Sequence, residues 1–133
     1  GALVAPNHPL ATRAEIAFVD LRGEPLILPA RGMSLRTAIE PLLAPLRRDL
    51  LVRTEVSSLR VMSALVRRTT SVGFLTRVGI ERELRAGELV WIPLVDPDLA
   101  EDRLMVVSRI GTIPSLALAA FVDLVEETWQ PSP

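Results

Sequence analysis

The chain has 133 residues, 49% of them hydrophobic, which is enough material for one domain with its own core. A formal net charge of −1 gives no overall field that would attract nucleic acid, and the absence of cysteine excludes disulfides and thiolate sites. The longest uninterrupted apolar run, Leu116–Val122, is too short to span a bilayer. All 15 basic residues are arginine, which a coding bias explains but which also supplies guanidinium groups for bidentate contacts with carboxylates or phosphates.

The chain opens on an apolar run that reads as a buried strand. Ala2–Ala5 predicts this strand, and Pro6 with Asn7 predicts a turn after it. A buried strand needs neighbours on both edges and nothing precedes this one, so we expect the sequence to begin inside a larger domain. Further on, Pro25–Pro29 is a short apolar run bounded by prolines and predicts a strand of a parallel sheet.

A helix is predicted after this second strand. Ser34 is the expected N-cap, and an apolar stripe at helical spacing continues from there to Leu46. Pro41 and Pro45 interrupt the stripe, and an interior proline costs about 3 kcal/mol. The sequence therefore predicts a kink or a restart near Glu40.

The second half of the chain continues the alternation of strands and helices. The predicted elements are strands at 50–56, 71–75, 88–94 and 103–108, a helix capped by Ser57 or Ser58 with Leu59, Met62, Leu65 and Val66 towards the core, a helix at about 78–85 and a last helix at about 114–129. This alternation predicts an α/β domain with a mainly parallel sheet flanked by helices.

Residues that commonly carry catalysis or bind metals are sparse. His8 is the only histidine, and it stands beside proline in a turn, where a structural role is the commoner one. No cluster has metal-ligand spacing, and GxSxG, GxGxxG and P-loop motifs are absent. The sequence therefore predicts no metal site, no cofactor and no enzyme activity.

Three predicted strands end in turns rich in hydroxyl and guanidinium groups. In an open α/β sheet, ligands bind where the carboxyl ends of strands meet the following helices, and a helix N-terminus suits an anion. These turns contain Arg31, Ser34 and Arg36, then Ser57 and Ser58, then Thr76 and Arg77. They predict a pocket for a small carboxylate, unless the serines only cap their own helices and the arginines face solvent.

The order of several segments resembles a known family. LVAPNHPLA is followed by FVDLRGEPLILP, SLRTAIE, VRTEVSSLRVMSALV, SVGFLT, AGELVWIPL and IPSLALAAFVDLV. In this order and spacing they look like the effector-binding domain of LysR-type transcriptional regulators, over nearly the whole chain. The stretch from HPLA to PLILP is the most diagnostic part.

The resemblance implies an α/β fold of the periplasmic-binding-protein-like type II class, with two subdomains and an effector cleft between them. It makes residues 1–15 the end of subdomain I and a crossover linker, and residues 16–100 a complete subdomain II. Residues 101–133 would then be the return crossover and the C-terminal helix of a partial subdomain I. The first half of subdomain I and a DNA-binding winged helix-turn-helix would precede this sequence.

The resemblance also implies a function. A small effector, often a carboxylate, would bind on the cleft loops and control DNA binding by the helix-turn-helix, while this chain itself would bind no DNA. A solute-binding protein of a transport system with the same fold is the alternative. The candidate effector-binding residues are Ala30, Arg31, Gly32, Met33, Ser34, Arg36, Ser57, Ser58, Phe74, Thr76 and Arg77.

We further expect a cytoplasmic homodimer or higher homo-oligomer without a membrane partner. A partial subdomain I would leave apolar surface exposed on Ala2–Ala5 and on the helix at 114–129. We therefore expect self-association through these two segments.

Overall fold

The computed structural model describes residues 1–99, 105, 107, 111 and 115–128. The chain divides into two compact units, Gly1–Glu101 and Asp102–Pro133. In the first unit the elements are β1 (Ala2–Val4), β2 (Pro25–Pro29), α1 (Ser34–Leu46), β3 (Leu51–Val56), α2 (Leu59–Arg68), β4 (Gly73–Phe74), α3 (Glu81–Arg85) and β5 (Val90–Ile92), with 3-10 turns at Pro9–Thr12 and Phe18–Leu21. The second unit contains α4 (Leu116–Thr128).

The strands of the first unit follow one another in the order β3-β2-β4-β1-β5. β2 and β3 pair in parallel, with a register shift between Leu26 and Ile27. A parallel bridge from Leu26 to Val72 joins β2 to the start of β4, where the Ile27 N–H donates to the Val72 carbonyl at 2.9 Å. β1 then pairs antiparallel with both β4 and β5. The predicted mainly parallel sheet therefore contains one antiparallel strand among the described residues, β1, which lies between β4 and β5.

Every residue of β1 is buried. Its three residues are 0% exposed and Ala5 is 4% exposed. The expectation that Ala2–Ala5 exposes apolar surface was wrong, because β4 and β5 cover both edges of this strand. Self-association through the helix at 114–129 stays a prediction.

The side chains of β2 alternate between two apolar clusters, one on each face of the sheet. Leu26 and Leu28 join the cluster that α1 covers, together with Phe18 and Phe74, whose rings stack at a centroid distance of 5.3 Å. Ile27 joins the cluster that α2 covers. The prediction that PLILP forms an interior strand is confirmed. The run is apolar because both faces of this strand are buried.

Helix α1 differs from its prediction at its start and in its middle. Met33 is the N-cap, without a side-chain hydrogen bond, and Ser34 is the first helical residue. The helix runs without a restart through Pro41 and Pro45. Both prolines lie on the exposed side, where water can hydrate the carbonyl groups that lose their N–H partner.

Other predicted boundaries shift by a few residues. α3 begins only at Glu81, because Gly79 adopts a φ of +88° and ends any helical path through 78–80. Leu59, predicted to face the core, is 42% exposed, whereas Met62 and Val66 are buried as predicted. The predicted strand at 103–108 lies outside the residues that the structure describes, apart from 105 and 107.

The predicted subdomain boundaries remain predictions. Residues 1–15 lie in the same compact unit as residues 16–99, and α4 lies in the second unit. Within the described ranges, no helix combines the length and apolar character needed to cross a membrane.

Candidate functional site

The three predicted turns lie at one edge of the sheet. β3, β2 and β4 are consecutive neighbours that run in the same direction. The Ala30 N–H, just beyond β2, donates to the carbonyl of Val56, the last residue of β3, at 2.8 Å. The prediction that these strand ends meet is confirmed. That their residues bind an effector stays a prediction.

The turn after β2 presents the N-terminus of α1 at this edge. The Met33 N–H donates to the Ala30 carbonyl at 3.2 Å and closes a β-turn. Gly32 has a φ of +90° at the third position of this turn, where a type II turn requires glycine. Because Met33 provides no side-chain cap, the first N–H groups of α1 have no capping hydroxyl or carboxylate.

Arg36, a predicted effector ligand, is buried and engaged within the protein. It is 7% exposed. Its Nη1 donates to the Pro29 carbonyl at 3.0 Å and to Glu55 Oε1 at 2.8 Å, and its Nε donates to Glu40 Oε2 at 2.7 Å. Burial disfavours the charged guanidinium, but the hydrogen bonds to Glu40 and Glu55 outweigh it and raise the pKa of Arg36. The side chain ties α1 to the ends of β2 and β3.

Glu40 links Arg36 to Arg47, the residue that follows the last turn of α1. Its second oxygen, Oε1, accepts from Arg47 Nη2 at 2.8 Å. The hydrogen bond from Arg36, reinforced by that from Arg47, lowers the pKa of Glu40 below its usual value. Two arginines therefore share this carboxylate, and the charge of Arg36 is balanced inside the unit.

Arg31 and Arg77 are placed differently. Both are exposed, and neither forms an ion pair or a side-chain hydrogen bond with any residue of the described part of the chain. Arg31 occupies the turn before α1, and Arg77 follows the end of β4. Thr76 beside it is half-buried. These side chains present positive charge and a hydroxyl at the edge where the strands end.

The remaining predicted residues divide between capping, core and surface roles. The Ser58 hydroxyl accepts from the Val61 N–H at 3.4 Å, so it caps α2. Ser57 and Ser34 are exposed. Phe74 is fully buried and stacked on Phe18, so its ring belongs to the core.

A depression of about 310 Å³ adjoins the start of α1. It is lined by Arg31, Gly32, Arg36, Thr37 and Glu40. The sequence did not predict Glu40 and Glu55 as partners of Arg36. The four-residue spacing of Arg36 and Glu40 on one helix could have indicated the first, but nothing local indicates Glu55 on another element.

His8 has a structural position. It is 5% exposed, its Nδ1 accepts from the Leu10 N–H at 3.2 Å, and its Nε2 lies 3.5 Å from Glu24 Oε2. The imidazole caps the turn Pro9–Thr12. Within the described residues, no group of three or more metal-binding side chains is placed to hold an ion.

Comparisons with known proteins agree with this architecture. A family model described as the LysR substrate binding domain matches residues 1–130. The effector binding domain of QuiR in complex with shikimate is 23% identical, with a TM-score of 0.65, over 96% of this chain and 59% of that one. The regulatory domain of CcmR from Synechocystis PCC6803, in complex with 2-PG, is 19% identical, with a TM-score of 0.68, over 99% and 63%.

A third solved relative is HinK, a LysR family transcriptional regulator from Pseudomonas aeruginosa. It is 22% identical, with a TM-score of 0.70, over 96% of this chain and 43% of that one. The chain thus spans less than two thirds of each of these three relatives. No curated protein matches the chain. The likeness confirms the predicted fold class, periplasmic-binding-protein-like type II.

Proposed function

The chain belongs to the family of LysR substrate-binding domains, and from this premise we propose that it senses a small anionic effector at the carboxyl edge of β3, β2 and β4. The observation that carries this proposal is the position of Arg31 and Arg77. Both guanidinium groups are exposed at that edge and unpaired within the described residues. A guanidinium fork binds a carboxylate or phosphate with two parallel hydrogen bonds.

The N-terminus of α1 supports the same ligand class. Its first N–H groups lack a side-chain cap, and they lie beside Arg31 in sequence. Uncapped N–H groups and the positive end of the helix dipole favour a negative charge. The effector binding domain of QuiR was solved with shikimate, and the regulatory domain of CcmR with 2-PG. We propose that this chain binds a ligand of comparable size.

Arg36 acts in this proposal as a positioning residue. Its bonds to the Pro29 carbonyl, Glu40 and Glu55 fix the start of α1 against the strand ends. Since both carboxylates balance its charge, the effector charge falls to Arg31 and Arg77. The hydroxyls of Ser34, Ser57 and Thr76 would complete the polar contacts.

We propose that effector binding shifts the balance between conformations of a cytoplasmic transcriptional regulator and so changes DNA binding by a separate domain of the whole protein. The chain itself would act without catalysing a reaction and without contacting DNA. The comparisons give no support to the alternative of a transport solute-binding protein, because the matching family is that of regulators.

The site can be tested with a panel of small carboxylates that includes shikimate. Thermal unfolding measures whether each compound stabilises the protein, and calorimetric titration measures its Kd. A ligand at one hundred times its Kd stabilises the folded state by about 2.7 kcal/mol. We expect Arg31→Ala and Arg77→Ala to weaken the binding of a stabilising carboxylate by at least about tenfold, as loss of a charge-assisted contact predicts.

Arg48→Ala is the matched control. Arg48 is an exposed arginine beyond the other end of α1, a helix of 13 residues that is roughly 20 Å long. Its removal changes the net charge equally and should leave binding unchanged. Equal binding by the Arg31, Arg77 and Arg48 variants would reject the proposed site, and a panel that stabilises nothing would reject the ligand class.

A further inference from the structure

Another open depression, of about 410 Å³, lies next to Arg77 at the end of β4. It is lined by Arg77, Leu84, Leu89, Val90, Trp91 and Pro93. Of these residues only Arg77 is charged, and the other five are apolar. The depression therefore offers one positive charge beside an apolar wall, and none of its described lining residues carries a carboxylate that would repel an anion.

Trp91 directs its indole ring to this depression. Alternation along β5 places Val90 and Ile92 with the apolar cluster that α1 covers, and Trp91 with the cluster that α2 covers. The indole Nε1 donates to the Leu75 carbonyl at 2.8 Å. Leu75 directly follows β4, so this hydrogen bond fixes the ring against the strand end that leads to Arg77. Because Trp91 is only half-buried, part of the fixed ring stays open to the depression.

The indole and the guanidinium of Arg77 lie close together without engaging each other. Leu75 and Arg77 are two residues apart, so their Cα atoms are separated by no more than about 7 Å. Arg77 forms no ion pair, side-chain hydrogen bond or stacking contact with Trp91 or with any other residue of the described part of the chain. The guanidinium and the open part of the ring are therefore both available to one small ligand.

We propose that the effector is a small aromatic carboxylate, with its carboxylate bound by Arg77 and its ring packed against Trp91. This inference rests on the proposed effector site and adds Trp91 as the residue that determines specificity. A fixed indole gains from the apolar area that a ligand ring buries and from offset or edge-to-face contact between the two rings. The guanidinium fork binds the carboxylate with two parallel hydrogen bonds. The same positive charge disfavours an aromatic amine.

A pair of simple carboxylates measures what the ring contributes. Calorimetric titration compares benzoate with acetate, which carries the same carboxylate without a ring. We expect benzoate to bind at least about tenfold more tightly, as burial of an aromatic ring predicts. Trp91→Thr should reduce this ratio of dissociation constants by roughly threefold or more, whereas Trp91→Phe should keep most of it.

The ratio separates a specificity role from a structural one. A variant that only destabilises the site loses affinity for both carboxylates equally, so its ratio stays the same. Trp129→Phe, a substitution at the other tryptophan of the sequence, is the matched control and should also leave the ratio unchanged.

Fluorescence gives a second measurement of the same contact. In Trp129→Phe the sole remaining tryptophan is Trp91, and the nitroaromatic ring of 4-nitrobenzoate quenches indole emission at contact distance. The quenching should saturate at the dissociation constant that calorimetry gives. Arg77→Ala should raise that constant by at least about tenfold, because a charge-assisted contact is lost.

The outcomes distinguish this inference from the proposed function. Equal binding of benzoate and acetate, with both weakened in Arg77→Ala, would overturn the role of Trp91 and leave the proposed function standing. An unchanged ratio in Trp91→Thr, or binding of 4-nitrobenzoate without quenching, would overturn that role as well. If benzoate, acetate and 4-nitrobenzoate all fail to bind, together with the wider panel of carboxylates, the proposed function is rejected along with this inference.

Discussion

Nη1 of Arg36 donates to the carbonyl oxygen of Pro29 across 3.0 Å. Pro29 is the last residue of β2, and Arg36 lies in the first turns of α1, so this bond spans the turn that carries Arg31. The same nitrogen also reaches Glu55 of β3. One buried side chain thus holds together a helix start and two strand ends.

Replacing Arg36 with Met should destabilise the protein by about 1–2 kcal/mol, because it leaves the Pro29 carbonyl and two carboxylates without this donor. The loss is moderate because Glu40 and Glu55 are 37% and 40% exposed and can be hydrated. Urea unfolding at pH 7 measures it. Arg47→Met, at a side chain that is 63% exposed, should cost less than about 0.5 kcal/mol. Equal losses in the two variants would contradict the assigned role.

The stability of the protein should fall in acid through Glu40. Its pKa in the folded protein is lowered from 4.5, first by the hydrogen bond from Arg36. A group with a lowered folded pKa stabilises fully above its unfolded pKa, and this contribution disappears as the pH falls through the folded pKa. The free energy of unfolding should therefore exceed that of Glu40→Gln at neutral pH, and the difference should close below about pH 4.5. A difference that does not depend on pH would argue against this ion pair.

Gly73 lies so close to α2 that a side chain has no room. A Cβ on this residue would lie 2.8 Å from Val66 Cγ2 and 3.0 Å from Met62 Cγ. Gly73→Ala should therefore cost about 1–3 kcal/mol through overpacking. In the double variant with Val66→Ala, the new methyl group enters space that the valine vacates. The combined loss should be smaller than the sum of the two single losses, and strict additivity in urea unfolding would disprove the contact.

His8 should act as a cap and not as a catalyst. His8→Ala removes the acceptor for the Leu10 N–H and empties a buried position, so it should destabilise the protein by roughly 1–3 kcal/mol. His8→Asn keeps a side-chain acceptor that can reach the same N–H, and it should recover part of the loss. If thermal unfolding shows Asn to be no better than Ala, the hydrogen bond contributes little and only the burial of the ring matters.

Local patterns predicted those parts of the fold that depend on local physics. PLILP is apolar at every interior position because both faces of β2 are buried, so its assignment needed no knowledge of its neighbours. That the three turns meet at one edge of the sheet could also be predicted, because it depends only on strands running in parallel.

Other features of the fold and of the site could not be predicted from local sequence, because they depend on contacts between distant segments. The direction of β1 depends on strands that follow much later, and no pattern within Ala2–Val4 encodes it. Arg36 shares its residue type with Arg31, yet only Arg36 meets Glu55 across the β2–β3 pair. Ser34 is a residue type that often caps helices, but the turn at Gly32 starts α1 one residue earlier and makes Met33 the N-cap.

The position of β1 between β4 and β5 has a consequence for the order of folding. Its first partner, Gly73, follows it by about seventy residues, and Trp91 comes later still. On the ribosome this strand emerges long before either neighbour exists, so it must wait unpaired until both have been synthesised. In a nascent chain that ends before β5, we expect Ala2–Val4 to remain partly unpaired. This segment should then be more accessible to proteases and to chaperones than it is in the whole chain.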